Sequence, residues 1–405
     1  MYLSNLIKKT PLEYCRRLSK KYNCDLYFKR EDLQVSRSFK IRGAGNAILK
    51  AYKVNNFTDY VCASAGNHAQ GVAIASLFVG RKCDIFMPTT TPNQKVNQIL
   101  SLDNSNNIKI HLKGNSVEES MKYAKDFSND NSKIFIHPYD DSDVIEGQGT
   151  IAEEIYMDLK NTDTIIGCVG GGGLIAGITE YRDRINADTH IVGAESDTCP
   201  SLDMSLKYNR LYTCEIDDCF VDGATVATVG KIPYTKLTKA ENFSTSVVKI
   251  GKLCETIVEL YNKDGIICEP AGALAVASLD TIPSKHIVGK NVVCVISGGN
   301  NDINRYPEIV DRMLRYQNLK RYYVVEFIQK AGELRKFINN ILGDTVDIIH
   351  FEYIKKTNIN NGQVLIGIEL ENNNDYIVVE KRFVTNNIKY VNITSINLPN
   401  VNSIK

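Results

Sequence analysis

The chain lacks most of the features that would tie it to a charged or an apolar partner. Neither sign of charge prevails: 48 Lys and Arg stand against 47 Asp and Glu, a formal net charge of +1. That balance argues against nucleic acid or an anionic membrane surface as a principal partner. No long apolar run is present either. The longest stretch without Asp, Glu, Lys or Arg runs from Tyr60 to Gly80, and Ser64, Asn67, His68 and Gln70 interrupt it, which is unlike a bilayer span. The N-terminus carries no basic-then-apolar signal, so export is not expected. The 11 cysteines form no C-x-x-C pair and the 6 histidines have no ligand spacing, so neither a disulfide frame nor a metal site is expected. Free thiols used as small core residues suit a reducing, cytoplasmic compartment.

What is present is an ordinary globular composition, 43% hydrophobic and 23% charged, in a length too great for one core, so two or three domains are expected. Short apolar runs alternate with helical patterns. Strands are predicted at Leu26–Lys29, Tyr60–Ala63, Cys83–Met87, Ile108–His111 and Ile134–Ile136, then at Thr164–Val169, His190–Ala194 and Asn291–Ile296. Helices are predicted over 43–53, 71–77, 117–127 and 149–159. Repeated βα units of this kind imply an α/β fold with parallel, helix-covered sheets. Two lobes are expected within residues 1–318, the smaller one at about 45–145 inserted in the other. Beyond residue 320 the pattern changes to βαββαβ, with strands at 322–327, 347–353, 364–370 and 390–393 and an ambiguous segment at 375–383. A separate small α+β domain over about 320–400 follows.

Four segments could carry chemistry. Lys40 follows an aromatic residue and precedes a predicted helix, a setting in which an amine is desolvated, loses its proton and becomes a nucleophile for carbonyl carbon. Gly170, Gly171, Gly172, Gly173 and Leu174 lie between an apolar strand and an apolar helix, so backbone N–H groups can converge on a phosphate. A dinucleotide site is an open alternative, since Gly171-x-Gly173-x-x-Ala176 fits that fingerprint and Glu195 lies near the end of the next strand. Ser64-Ala65-Gly66-Asn67-His68 is a second strand-to-helix turn, suited either to a carboxylate or simply to capping. Ser297, before Gly298-Gly299-Asn300, closes a strand at its carboxyl end, where such sheets bind ligands, although a plain turn fits equally.

Together these segments resemble the threonine dehydratase (threonine ammonia-lyase) family, pyridoxal-phosphate enzymes of the tryptophan-synthase β fold. The likeness runs through Lys29-Arg30-Glu31-Asp32-Leu33-Gln34, Arg37 to Ala44, Ser64 to Gly71, Gly147-Gln148-Gly149-Thr150, Gly170 to Leu174, Glu269-Pro270-Ala271-Gly272-Ala273 and Ser297 to Asn300, in order over residues 8 to 315. The resemblance implies that Lys40 carries pyridoxal 5'-phosphate as a Schiff base and serves as the catalytic base. It implies that Asn67 meets the ring hydroxyl, Gly170–Leu174 the phosphate and Ser297 the ring nitrogen, with Ser64–His68 holding the substrate carboxylate. The implied reaction takes L-threonine to a 2-oxo acid and ammonia, with L-serine left open as a second substrate. For threonine the product is 2-oxobutanoate, in the first step of isoleucine biosynthesis. A catabolic serine/threonine dehydratase and a non-catalytic amino-acid sensor are the alternatives. Related serine racemases place a proton-carrying serine where this chain has Ala65, which disfavours racemisation.

The C-terminal part resembles the ACT-like regulatory domain of biosynthetic threonine dehydratases, in one copy, through Phe327–Arg335 and Phe351–Asn358. It implies isoleucine as an allosteric ligand and a homotetramer. Ala331-Gly332 stands where the family has Pro-Gly, which loosens that turn.

Overall fold

The computed structural model describes residues 2–103, 105–343, 346–353 and 361–394. The chain divides into two units, Met1–Ile303 and Asn304–Lys405.

The first unit contains two sheets. In the larger, the spatial order is Leu12–Tyr14, Asp25–Arg30, Asn291–Ile296, Thr164–Cys168, His190–Ser196 and Phe243–Val248. Every pairing is parallel except the first, an antiparallel edge that the sequence pattern did not reveal. Thr164–Cys168 is buried along its whole length, and only the first residue of Asn291–Ile296 is partly exposed, as a sheet covered on both faces requires. Phe243–Val248 also escaped the pattern. Its Ser-Thr-Ser centre reads as a turn, and it becomes a strand by docking on His190–Ser196. The smaller sheet is all parallel, in the order Ile108–Leu112, Cys83–Met87, Tyr60–Ala63, Ile134–Phe135. The chain therefore leaves the large sheet after Arg30, builds the small one, and returns at Thr164. Turns at the carboxyl ends of strands from both sheets then converge.

Three helices start earlier than predicted, the one expected over 71–77 running Asn67–Phe78. The helix expected from Gly43 runs Lys40–Val54, so Lys40 is its first residue and Ile41-Arg42-Gly43 its first turn. The helix expected from Gly149 runs Ser142–Asp158, because the Asp141 carboxylate accepts from Asp143 N at 2.8 Å and Val144 N at 3.0 Å.

The second unit opens with the helix Tyr306–Tyr316, ahead of the boundary expected near 318–320. Four antiparallel strands follow in the spatial order Val346–Tyr353, Asn361–Leu370, Lys320–Ile328, Lys389–Asn392. The ambiguous segment 375–383 is a helix, Asp375–Thr385; Val379 and Phe383, one turn apart, are buried against Tyr323, Val325 and Phe337. Gly332 takes φ 91°, a left-handed turn open to glycine, and starts the helix Glu333–Phe337. The motif residues 354–358, and the end of the expected domain beyond 394, lie outside the described residues. Among the described residues no helix is long and apolar enough to cross a membrane, and no His, Cys, Asp or Glu cluster could hold a metal.

Candidate active site

Lys40 is held by stitching between two loops. Arg37 adopts φ 55°, a left-handed conformation that a non-glycine residue takes only when its surroundings enforce it. Here they do: Gly299 N donates to Arg37 O at 2.9 Å, and the Arg37 guanidinium donates to Gly299 O at 2.7 Å. Ser38 bridges Gly298, and Phe39 N donates to Ser297 O at 3.1 Å. Ser297 and Lys40, distant in sequence, are thus fixed to one frame. The half-buried Lys40 donates from Nζ to Pro138 O at 3.0 Å and lies 5.3 Å from the centre of the Phe39 ring. Among the described residues no carboxylate forms an ion pair with it. Burial pushes its pKa down to about 8, against weaker opposing pulls from Cys168 and Glu269.

The glycine segment leaves the carboxyl end of Thr164–Cys168 and enters the helix Gly173–Arg184. Gly172 takes φ 86°, and a Cβ on Gly171 would fall 2.1 Å from the Tyr139 ring, so neither position admits a side chain. No side chain caps the helix. Its first-turn N–H groups have no intrahelical acceptor and remain available to an anion. The dinucleotide alternative fails on Glu195. That carboxylate is buried and accepts from Leu202 N at 2.9 Å and Asp203 N at 2.8 Å, holding the start of the helix Ser201–Lys207. Burial pushes its pKa up to about 8. A group consumed in this way is not available to a ribose.

The Ser64–His68 turn lies at the carboxyl end of Tyr60–Ala63, and Asn67 opens the helix Asn67–Phe78. Ser64, Ala65, Gly66 and Asn67 are half-buried, and no side chain caps this helix, so its N–H groups too can meet a carboxylate. Asn67 Nδ2 donates to Glu269 Oε1 at 2.6 Å, and Asn67 Oδ1 accepts from Asn300 Nδ2 at 2.7 Å. The His68 side chain turns inward: Nε2 donates to Ile136 O at 2.9 Å, and burial pushes the pKa down to about 3. It is a neutral, structural imidazole, and its backbone alone belongs to the turn.

Ser297 is 1% exposed; its hydroxyl donates to Ala271 O at 3.3 Å and accepts from Cys168 Sγ at 3.3 Å. Burial pushes the Cys168 thiol up to about 11, so it is a neutral neighbour of Ser297 and Lys40. The predicted residues thus gather on the carboxyl ends of strands from both sheets. Sequence reasoning assigned no role to Glu269, Cys168, Asn300 or the carbonyl of Pro138. Glu269 had a faint signal, an acidic residue immediately before a proline at a helix start, which ordinarily means a helix cap.

Residues 3–298 match the family described as "Pyridoxal-phosphate dependent enzyme", and residues 311–398 match the "C-terminal regulatory domain of Threonine dehydratase". The chain is 45% identical over 395 residues to the biosynthetic L-threonine dehydratase IlvA of Lactococcus lactis, covering 96% of this chain and 94% of that protein. The solved structure of threonine deaminase isoform 2 from Solanum lycopersicum is similar with TM-score 0.70 and 32% identity, over 76% of this chain and 89% of that one. Serine racemase from Dictyostelium discoideum is similar with TM-score 0.67 and 28% identity, over 74% of this chain and 95% of that one.

Proposed function

The chain belongs to the pyridoxal-phosphate-dependent biosynthetic threonine dehydratases, and from that premise we propose that it converts L-threonine to 2-oxobutanoate and ammonia. The observation that carries the reading is Lys40: a half-buried amine with no ion pair among the described residues, held in one frame with Ser297 and donating to the carbonyl of Pro138, next to the Tyr139 ring that a side chain on Gly171 would strike. The site fits pyridoxal phosphate on its donor set. Uncapped backbone N–H groups at Gly170, Gly171, Gly172, Gly173 and Leu174 would hold the phosphate, Asn67 the ring hydroxyl, Ser297 the ring nitrogen and Lys40 the aldehyde carbon.

When bound, pyridoxal phosphate supplies the electron sink for charge developing at the substrate α-carbon. The protein's own contribution is position and proton transfer. With a pKa near 8, Lys40 has a substantial neutral fraction at working pH and takes the α-proton, a general-base role worth about 10²–10⁴-fold. Ser297 is neutral and would leave the ring nitrogen unprotonated, which limits carbanion stabilisation and favours loss of the β-hydroxyl. The N–H groups after Ala63 would anchor the substrate carboxylate. A racemase shares the fold, but Ala65 has no proton to deliver to the opposite face, so elimination is the outcome.

The second unit supports regulation by isoleucine. It contains a cavity of about 270 Å³ whose lining includes Ile328, Phe337, Ile341 and Ile388, together with Glu333 and Lys336. Four apolar side chains beside two acidic residues, two basic residues and four asparagines could receive both the apolar side chain and the charged ends of one amino acid. The eleven free cysteines support a cytoplasmic location, and a homotetramer would give such a ligand quaternary states to choose between. The test is 2-oxo acid formation from threonine and from serine, with and without isoleucine. Product from threonine and a threonine saturation curve moved to higher concentration by isoleucine are expected. No product from the pyridoxal-phosphate-loaded protein overturns the activity; activity without isoleucine binding by calorimetry leaves a catabolic enzyme instead.

A further inference from the structure

Glu269 is a buried carboxyl that the chemistry above does not use. It stands at the N-cap of the helix Pro270–Ala277, yet its side chain makes no capping bond there. Its backbone N–H donates to Gly298 O at 3.1 Å, and its Oε1 reaches instead to Asn67 Nδ2 at 2.6 Å. Room for this is kept by missing side chains: a Cβ on Gly298 would fall 2.3 Å from Oε1.

The polarity of the Asn67 amide follows from its neighbours. Ser36 O can only accept, so Asn300 presents its nitrogen there at 2.9 Å, and that same nitrogen donates to Asn67 Oδ1 at 2.7 Å. Asn67 must then turn its own nitrogen toward Glu269. One of its two N–H groups is taken by the carboxylate, and the other acquires a fixed direction.

We propose that Glu269 is the positioning residue that orients the Asn67 amide for the cofactor, and that ionisation of this carboxyl sets a pH threshold in cofactor affinity. The inference rests on the proposed pyridoxal-phosphate site. The charged and titratable groups facing Glu269 are Asp222, Lys95, Lys40, Cys168 and Cys268, with Lys95 also paired to Asp222 at 2.7 Å. Burial first and Asp222 second push the carboxyl up to about 7, while Asn67, Lys95 and Lys40 pull it down. Ionised, it holds Asn67 by a charge-assisted bond, about twice as strong as the neutral one left after protonation. Asn67 is therefore held firmly above that pH and loosely below it.

The experiment is absorbance titration of full-length protein with pyridoxal phosphate from pH 5.5 to 9, for wild type, Glu269→Gln and Glu269→Ala. Glu269→Gln keeps the volume and an acceptor for Asn67 but cannot ionise. Wild type is expected to lose affinity as pH falls through about 7; Glu269→Gln should lack that step. Glu269→Ala should bind at least about tenfold more weakly at pH 8, the scale of a lost bond to a charged group, and Glu269→Gln should restore most of the loss. Persistence of the step in Glu269→Gln, or equal affinity in all three proteins, overturns the proposal. If wild type binds no cofactor at any pH, the cofactor site itself fails, and the proposal with it. Because Glu269→Gln removes no volume, its result stands even where Glu269→Ala does not fold.

Discussion

Two lysines close together in the sequence, the fully buried Lys29 and the half-buried Lys40, meet opposite fates. Lys29 has no exposed surface; it donates to Thr10 O at 2.7 Å and pairs with Glu154 at 2.5 Å. Beside it Arg42, also fully buried, pairs with Glu31 and Glu154, each at 2.7 Å. Thr10 Oγ1 donates to Glu31 at 2.5 Å, which completes a cluster of two cations and two carboxylates with their hydrogen bonds answered internally. Nothing in that cluster is left for a ligand. Lys40 has one neutral acceptor, Pro138 O, and no ion pair among the described residues. In both, burial lowers the pKa; for Lys29 the Glu154 bond opposes it, and for Lys40 the opposing pulls are weak. A buried amine whose charge is fully paired has nothing left to offer a ligand, whereas one without an ion pair is a candidate for chemistry.

The largest break in the comparison is Lys40→Ala. Turnover should fall by at least about 10³-fold, since general-base catalysis alone supplies about 10²–10⁴, and the bound-cofactor visible band should vanish while the thermal midpoint of cofactor-free protein is kept. Borohydride labelling of a different lysine peptide in wild type would refute the assignment.

Next is Lys29→Ala, which should cost about 3–5 kcal/mol of unfolding free energy by leaving buried carboxylates in excess, read in urea melts, with kcat of the folded fraction retained. Loss of the visible band with unchanged stability would invert the two roles.

A subtler contrast is in pH. Between about 8 and the ordinary lysine value of 10.5, the unfolded chain binds a proton at Lys40 that the cofactor-free fold rejects. Stability therefore rises with pH across that window, and this contribution is gone below it. Urea midpoints at both ends should show the rise in wild type and a smaller one in Lys40→Met; identical slopes would mean the amine is not depressed. The smallest effect is at Ser297. Ser297→Ala removes one buried hydrogen bond, about 0.5–1.5 kcal/mol, and should weaken cofactor binding by up to about tenfold by absorbance titration. Undiminished affinity would place another group at the ring nitrogen.

Much of this was legible in one dimension. The strands Tyr60–Ala63, Cys83–Met87 and Asn291–Ile296 stand where their apolar runs place them, because a strand buried on both faces has no polar side to blur its ends. The glycine turn was legible for a related reason: consecutive glycines between apolar elements are costly unless backbone must approach something closely, here the Tyr139 ring. Three helix starts were not, although the one at Val117 was. Lys40 begins its helix because Phe39 and Ser38 are tied to Ser297 and Gly298, a contact that local pattern does not encode.

By itself, then, the sequence determined the alternation of elements, the βαββαβ plan of the second unit, and the residue types able to perform the chemistry. Periodicity and backbone freedom are local properties, and a single chain displays them openly. Only the tertiary structure decided which polar groups are spent on one another and which remain free. Lys29 and Lys40, or Glu195 and Glu269, look alike as letters. Glu195 is consumed by two N–H groups of a helix start, whereas Glu269 bypasses its own helix to hold Asn67. A charged group's role depends on its dielectric surroundings and on partners within a few ångströms, and those partners come from distant stretches of the chain.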